Sequence, residues 1–195
     1  AVGNNGASGV YNCKNGYLIN KPVSTENNLD KNIGAVADFA KSIDTPTTVM
    51  LVPSTGYIVD DVLPTFHDKY NDDEDISKIS STLSKDKIGF VDLRERFKSE
   101  YKNGSQLYYK TDHHWTTKGA YTGYQELCKA LDITPIDDST LKKDSYPDFY
   151  GTTYSSSGFW LTPPDNIEIW NNPKNSDRNI SVKITEGANI KTSGS

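Results

Sequence analysis

The 195-residue sequence has only two cysteines, one methionine and three histidines, and it has no long apolar segment. No apolar run approaches the ~20 residues that a membrane-spanning helix needs, so we expect no transmembrane segment in this chain. The two cysteines, Cys13 and Cys128, lack the short spacing of a metal-binding motif. The two cysteines could form a disulfide in an oxidising compartment, or both could be free thiols. Cys128 lies on the apolar side of a predicted helix, which favours a buried free thiol at that position.

An excess of positive charge is also absent. The chain carries 21 basic and 26 acidic residues, a net charge of −5, and its lysines and arginines are dispersed among the acids. Because nucleic-acid binding requires clustered basic residues, we expect no nucleic-acid partner. The apolar content of 34% and the mean hydropathy of −0.66 indicate one domain with long polar loops.

Alternating strand and helix patterns predict an α/β fold in the first two thirds of the chain. Strands are predicted near 17–20, 47–52, 88–93 and 107–110, and the β-branched run at 47–52 is typical of a buried parallel strand. Helices are predicted at 28–43, 76–83, 94–101 and after Trp115, where Thr116 or Thr117 is the expected N-cap. Acidic residues 72–75 fit a helix start better than a calcium loop. This alternation indicates a sheet flanked by helices, and short strands are predicted at 167–170 and 180–184.

Two of the three histidines lie together in the sequence Asp112-His113-His114-Trp115, between a predicted strand and a predicted helix. In an extended segment, residues i and i+2 share one face, so we expect Asp112 to bond to His114 and His113 to point away. A carboxylate beside an imidazole fixes its tautomer and stabilises its charged form, as in an acyl-transfer triad. The alternative is that Asp112 and His114 form a pair with a structural role and no catalytic one. A metal site that also uses His67 is disfavoured, because adjacent histidines in a strand face opposite sides.

The segment TDHHWTTKGAY resembles the signature of the DHHW family of bacterial surface proteins. It is also similar to the D-x-H-W segment of alginate O-acetyltransferases, which have an SGNH-hydrolase-like fold. Three other blocks, at 15–19, 51–54 and 149–155, resemble further parts of these sequences, the last through FYGTTYS. The resemblance implies a three-layer α/β/α sandwich with a mainly parallel sheet, incomplete at its C-terminus. It also implies a secreted or cell-envelope protein.

The resemblance further implies a carbohydrate O-acetyltransferase or esterase that acts on a cell-envelope or extracellular glycan by a Ser-His-Asp mechanism. His114 would be the general base and Asp112 its orienting carboxylate, while Trp115 would contact substrate. Ser54, in a loop at the carboxyl end of a predicted strand, is a further substrate-binding candidate. We expect no cofactor and no metal, and the acyl donor is not assigned.

A nucleophile is harder to place. Ser145 lies in the sequence KDSY, which is similar to the K-D-S block that contains the nucleophile in the resembling families. However, Pro147 follows closely and departs from that pattern. Thr153 and Ser155 lie in the sequence GTTYS, where alginate acetyltransferases carry a similar nucleophile block. None fits well, so we expect the nucleophile to lie beyond Ser195 and the chain as it stands to be inactive, or nearly so, as an esterase. A non-catalytic envelope or glycan-binding domain that keeps the fold without a working triad is the alternative function.

The domain boundaries predicted from these observations divide the chain into three parts. Residues 1–12 form a mobile N-terminal segment, and residues 13–160 form the SGNH-like α/β domain. Residues 161–195, interrupted by prolines, form a C-terminal extension with short strands or the start of a further part of the domain.

Overall fold

Helices and two-stranded sheets make up the fold in this computed structural model, which describes residues 9–24, 28–175, 181–186 and 189–194. The strands are β1 (Val10–Asn12), β2 (Leu18–Asn20), β3 (Thr48–Leu51), β4 (Gly89–Asp92), β5 (Lys142–Phe149), β6 (Asp165–Asn171), β7 (Ser181–Glu186) and β8 (Asn189–Gly194). The helices are α1 (Leu29–Ser42), α2 (Thr55–Ile58), α3 (Asp72–Lys85), α4 (Arg94–Lys102), α5 (Thr117–Ala130) and α6 (Thr152–Ser157).

The predicted strands near 17–20, 47–52 and 88–93 are confirmed as β2, β3 and β4. Strands β3 and β4 pair in parallel, from Thr48 opposite Gly89 to Leu51 opposite Asp92. The other three described pairs, β1–β2, β5–β6 and β7–β8, are antiparallel. A mainly parallel sheet in a three-layer sandwich is therefore not confirmed. The parallel pair β3–β4 is joined by a long crossover that includes α3, as parallel pairing requires. Short connections return the chain antiparallel in β1–β2 and β7–β8, whereas β5 and β6 are antiparallel although residues 150–164, including α6, join them.

Helices α1 and α3 pack together beside the parallel pair. Ile33 and Ala37 of α1 form a small buried cluster with Leu83 of α3 and with Ile88, which directly precedes β4. Both helices agree with the sequence-based prediction. The acidic run at 72–75 occupies the first turn of α3, where carboxylates interact favourably with the positive end of the helix.

The larger core lies under the segment that contains the adjacent histidines. Phe97 of α4 and Tyr108 are almost completely buried there, and their rings meet edge to face with centroids 6.0 Å apart. Its other members include Ile19 of β2, Ile58 of α2 and Leu93, which directly follows β4. This packing fixes the base of the segment, where Leu107 and Tyr108 belong to the core.

The two ends of the chain are only partly described. Of the predicted mobile segment 1–12, residues 1–8 lie outside the described residues, whereas Val10–Asn12 form β1 and pair with β2. The predicted strand at 180–184 corresponds to β7, although Ile180 itself lies outside the described residues.

The cysteines are free thiols in this structure. Cys128 is buried on α5, as the helical pattern predicted, and Cys13 is partly buried after β1. Burial raises the pKa of the Cys13 thiol to about 12, so this side chain is protonated at neutral pH. Of the helices that the structure describes, none is long and apolar enough to cross a bilayer.

Candidate functional site

The adjacent histidines lie in a tight hairpin-like loop. Its base is a single antiparallel bridge between Tyr108 and Trp115, together with a hydrogen bond from the Thr116 amide to the Leu107 carbonyl at 2.8 Å. The predicted strand at 107–110 is reduced to that bridge, and residues 110–114 form bends. A hydrogen bond of 2.7 Å from the Leu18 amide to the Lys110 carbonyl joins the loop to β2.

A buried carboxylate, Asp165 at the start of β6, holds the first half of this loop. Its Oδ1 atom accepts hydrogen bonds from the Lys110 amide at 3.0 Å and from Nε2 of Gln106 at 3.0 Å. Its Oδ2 atom accepts from the amide and the hydroxyl of Thr111, both at 2.7 Å. Since Asp165 is only 5% exposed, these four donors replace its lost hydration and fix the backbone just before Asp112.

Asp112 is also 5% exposed, and donors surround it from two directions. The amide and hydroxyl of Thr152, at the start of α6, donate to Oδ2 at 2.7 and 3.0 Å. The His114 amide donates to Oδ1 at 2.9 Å. Gly151 permits this approach, because a Cβ atom there would lie 2.3 Å from Cβ of Asp112. The FYGTTYS block therefore supports the carboxylate.

The predicted pair between Asp112 and His114 is confirmed. Nδ1 of His114 lies 2.5 Å from Oδ1 of Asp112. Burial alone would raise the pKa of Asp112, but the hydrogen bonds from Thr152 and His114 outweigh burial and lower the pKa to about 2. An ionised carboxylate only accepts hydrogen bonds, so Nδ1 of His114 carries the proton and Nε2 keeps a free lone pair. The imidazole is 66% exposed, which leaves Nε2 accessible.

The prediction that His113 points away from its neighbour is wrong. The two imidazole rings stack with centroids 4.0 Å apart and planes at 35°. Nδ1 of His113 lies 3.1 Å from Oγ1 of Thr152 and 3.8 Å from Oδ1 of Asp112. Neighbouring side chains point to opposite faces only in an extended strand, and the backbone bends at these residues instead.

Because the backbone bends, the adjacent histidines do not face opposite sides, and facing opposite sides was the reason for disfavouring a metal site. Ligand atoms of Asp112, His113 and His114 all lie within 4.8 Å of one another, whereas His67 instead contacts the Asp68 carbonyl. Two ligands of one tetrahedral zinc ion lie roughly 3.3 Å apart when each is about 2.0 Å from the metal. The 2.5 Å contact between Asp112 and His114 is shorter and is therefore a hydrogen bond, so these two atoms do not already have the spacing of metal ligands.

Trp115 packs against the core on the far side of the loop. Its ring lies 6.4 Å from that of Phe97, and a Cβ atom on Gly123 of α5 would come within 3.0 Å of the indole. Gly119 has a similar role, because its Cβ would lie 2.3 Å from the Leu107 carbonyl oxygen. The predicted N-cap is also confirmed, since Oγ1 of Thr116 accepts from the Gly119 amide at 3.1 Å. These contacts place Trp115 in a supporting position under the histidines.

Ser54 lies at the end of β3, beside a cavity of about 390 Å³. Its amide and hydroxyl donate to the two carboxylate oxygens of Asp72 at 2.6 and 2.7 Å. His113 lines the same cavity. The structure therefore brings Ser54 near one member of the histidine pair, while Trp115 lies elsewhere.

None of the three nucleophile candidates contacts His114. Ser145 is exposed on β5 opposite Glu168. Thr153 is 2% exposed, and its hydroxyl has no hydrogen-bond partner. The Ser155 hydroxyl donates to the Gly151 carbonyl at 3.1 Å. Within the residues that the structure describes, no hydroxyl group forms a hydrogen bond with Nε2 of His114.

Sequence reasoning missed three supporting residues, Thr111, Thr152 and Asp165. Thr111 and Thr152 lie in segments that the resemblance had already singled out, but their roles depend on the fold. Asp165 follows two prolines at the start of a strand, and nothing in that local pattern indicates a carboxylate with four donors from a distant loop.

Residues 18–150 match the SGNH hydrolase-like domain family of the acetyltransferase AlgX. The chain belongs to this family. The match covers the loop with the adjacent histidines and ends within the block that holds Asp112. It shows an SGNH-hydrolase-like α/β domain, in agreement with the resemblance found in the sequence.

Solved structures with the same fold include a DHHW family protein from Eubacterium siraeum, with 21% identity and a TM-score of 0.72. Bacillus cereus PatB1, in a structure with a sulfonyl adduct, has 19% identity and a TM-score of 0.70. The O-acetyltransferase domain of Pseudomonas putida AlgJ has 18% identity and a TM-score of 0.64. At these identities the likeness establishes the fold alone.

The chain corresponds to only part of these proteins. The alignments cover 87%, 94% and 82% of this chain, but 57%, 62% and 63% of the E. siraeum protein, PatB1 and AlgJ, respectively. No curated protein sequence matches the chain.

Proposed function

We propose that this chain carries the base and the orienting carboxylate of a carbohydrate O-acetyltransferase or esterase. The observation that carries the proposal is the contact of 2.5 Å between Nδ1 of His114 and Oδ1 of Asp112, with the imidazole largely exposed. The carboxylate is buried and fixed by four donors, whereas the base is accessible to a substrate. This combination of a rigid support and an open reacting atom is what acid–base catalysis requires.

In the proposed reaction, Nε2 of His114 takes the proton from an attacking hydroxyl as that oxygen bonds to the acyl carbon. The resulting imidazolium is stabilised by Asp112, which stays ionised because its pKa is about 2. His114 then gives the proton to the departing oxygen. In a second round, a glycan hydroxyl or a water molecule takes the acyl group from the nucleophile, with His114 again acting as base.

The nucleophile in this proposal comes from outside the described residues. The positions of Ser145, Thr153 and Ser155 support this, because the first is exposed on β5, the second is buried and the third donates to the Gly151 carbonyl. A triad needs the hydroxyl within hydrogen-bond reach of the base.

The proposed acceptor is a glycan of the cell envelope or of the extracellular space, and the same location is proposed for the protein. Two findings support this assignment. The chain belongs to the AlgX-type family, and its fold is similar to that of the O-acetyltransferase domain of AlgJ. The proposal leaves the acyl donor unassigned. It also retains the predicted three-layer arrangement for the whole protein.

Hydrolysis of p-nitrophenyl acetate and acetyl transfer to a glycan test the proposal. We expect slow ester hydrolysis by the 195-residue chain, unchanged in S145A, T153A and S155A. In the natural gene product that contains this chain, H114A should lower acetyl transfer roughly 10²–10⁴-fold, the usual contribution of a general base. H67A is the matched control, because His67 is an exposed imidazole that contacts the Asp68 carbonyl and plays no part in the proposed reaction.

Clear turnover that is lost in one of the three hydroxyl variants would place the nucleophile at that residue and overturn this part of the proposal. A gene product that binds glycan without transferring acetyl groups would instead support a non-catalytic glycan-binding domain. The observation that favours this second function is the lack of a hydroxyl bonded to Nε2 of His114 among the described residues.

A further inference from the structure

The hydrogen bonds around Thr152 determine which nitrogen of His113 carries a proton. Oγ1 of Thr152 lies 3.0 Å from Oδ2 of Asp112 and 3.1 Å from Nδ1 of His113. Asp112 is ionised and only accepts, so the single hydroxyl proton is donated to Asp112. Oγ1 must then accept from Nδ1 of His113, which therefore carries the proton of the neutral ring. Nε2 of His113 is consequently a hydrogen-bond acceptor.

His113 also forms part of the wall of the cavity of about 390 Å³. This volume lies within the range of small-molecule sites, roughly 300–1,000 Å³. The cavity lies at the carboxyl end of β3, where α/β proteins commonly bind ligands. Apolar side chains such as Leu51 and Val52 line it together with polar ones. His113 therefore contacts His114 and also lines a cavity that is large enough to hold a ligand.

The charged groups that line this cavity disfavour an anionic ligand. Two acidic residues, Asp72 and Asp75, line the cavity together with one basic residue, Lys21. Asp72 uses both oxygens to hold Ser54, and the Lys21 ammonium lies 5.2 Å from the centre of the Tyr11 ring. With an acceptor nitrogen from His113 added, the lining favours a ligand that donates hydrogen bonds and carries no negative charge.

We propose that His113 is a substrate-binding residue whose Nε2 atom accepts a hydrogen bond from a hydroxyl or amino group of a neutral or amine-bearing sugar in this cavity. The proposal rests on the proposed function in taking the ligand to be a glycan. It goes further by assigning the second histidine a role separate from that of His114. It also excludes uronate units as preferred ligands, because their carboxylates would lie near Asp72.

The first test is the tautomer of His113 in the 195-residue chain, measured from the ¹⁵N shifts of its ring by NMR. We expect protonation at Nδ1 in the neutral ring, and a loss of this preference in T152V, which removes the hydroxyl acceptor. A neutral ring protonated at Nε2 in the unmodified chain would overturn the proposal, and this readout requires no ligand and no activity.

The second test is titration with tetramers of β-1,4-linked glucose, β-1,4-linked glucosamine and mannuronate, followed by the ring ¹⁵N shifts and by calorimetry. We expect the glucose or the glucosamine tetramer to bind at least about tenfold more tightly than mannuronate. H113F keeps an aromatic ring on His114 but removes the nitrogen, so affinity should fall roughly tenfold, the value of about one hydrogen bond. H67F is the control and should bind as the unmodified chain does.

Equal or tighter binding of mannuronate, or unchanged affinity in H113F, would overturn the proposal. These outcomes are distinct from failure of the proposed function, which is judged by acetyl transfer in H114A. Binding that depends on His113 in a protein without transferase activity would leave the present inference intact and remove only the catalytic assignment.

Discussion

Two buried aspartates support the histidine loop, and their surroundings differ in one respect. Asp112 and Asp165 are each 5% exposed, and each accepts four hydrogen bonds. The donors to Asp165 all come from residues 106–111 and none is an imidazole. Among the donors to Asp112 is the ring of His114, whose other nitrogen is accessible. Although their burial and hydrogen bonding are similar, Asp165 only positions the loop, whereas Asp112 holds an imidazole that can react.

Thr111 joins these two regions. Its hydroxyl donates to Oδ2 of Asp165 at 2.7 Å and accepts from the Gly151 amide at 3.1 Å. Its carbonyl accepts from the Tyr154 amide at 2.9 Å. The proposed catalytic carboxylate of Asp112 is therefore positioned through a second carboxylate, that of Asp165, with Thr111 between the two regions.

Replacing Asp165 should have the largest effect on stability. D165A removes the acceptor of two backbone amides, one hydroxyl and one side-chain amide, and leaves buried donors without partners. We expect a loss of about 3–5 kcal/mol in the free energy of unfolding, measured by urea denaturation of the 195-residue chain. N166A, at the exposed neighbouring position, should change stability little. A loss below about 1 kcal/mol in D165A would contradict the anchoring role.

Replacing Asp112 should have a smaller effect on stability and one that depends on pH. The pKa of Asp112 is lowered to about 2 in the folded protein, against an ordinary value of about 3.9. Its ionisation therefore stabilises the fold fully above pH ~4, and this contribution is lost as the pH falls through about 2. We expect D112N to cost about 2 kcal/mol at pH 7 and progressively less between pH 4 and pH 2.

Urea denaturation across this pH range measures the difference between D112N and the unmodified chain. D148N, at an exposed position on β5, is the control for the loss of a carboxylate. A stability difference for D112N that stays constant from pH 7 to pH 2 would contradict the lowered pKa.

Removing the Thr111 hydroxyl should have the smallest of the three effects. T111V keeps the shape of the side chain but loses one hydrogen bond to Asp165 and one from the Gly151 amide, so we expect a cost of about 1–2 kcal/mol. T111S retains the hydroxyl and is the control. If Thr111 couples the two regions, the costs of T111V and D112N will not add in the double variant. Strict additivity would show that the regions are independent.

The elements that follow from local sequence patterns were predictable. Helices α1, α3, α4 and α5 have apolar residues at helical spacing, and Thr116 marks the start of α5. Strands β2, β3 and β4 were found from short apolar runs. The bond between Asp112 and His114 was also predicted, although the extended backbone assumed for it is absent.

The orientation of His113 and the inward packing of Trp115 were not predictable from these patterns. His113 depends on a bend that Asp165 holds from 54 residues away in the sequence and on Thr152, 39 residues away. Trp115 fits against the core because Gly119 and Gly123 leave room on α5. Strands β3 and β4 pair in parallel as expected, but a mainly parallel sheet is not confirmed, because strand patterns do not specify which partner a strand will take.

The wide sequence separation of the contacts around Asp112 also bears on when the site forms during folding. The bonds that fix it join residues 40 and 54 positions apart, so the chain must close large loops before any of them forms. Local elements such as α1 and α3 do not have this requirement. We therefore expect the histidine loop to order late, after the transition state, so that weakening it mainly speeds unfolding. The lifetime of the folded chain would then depend on the same contacts that hold the proposed base in place.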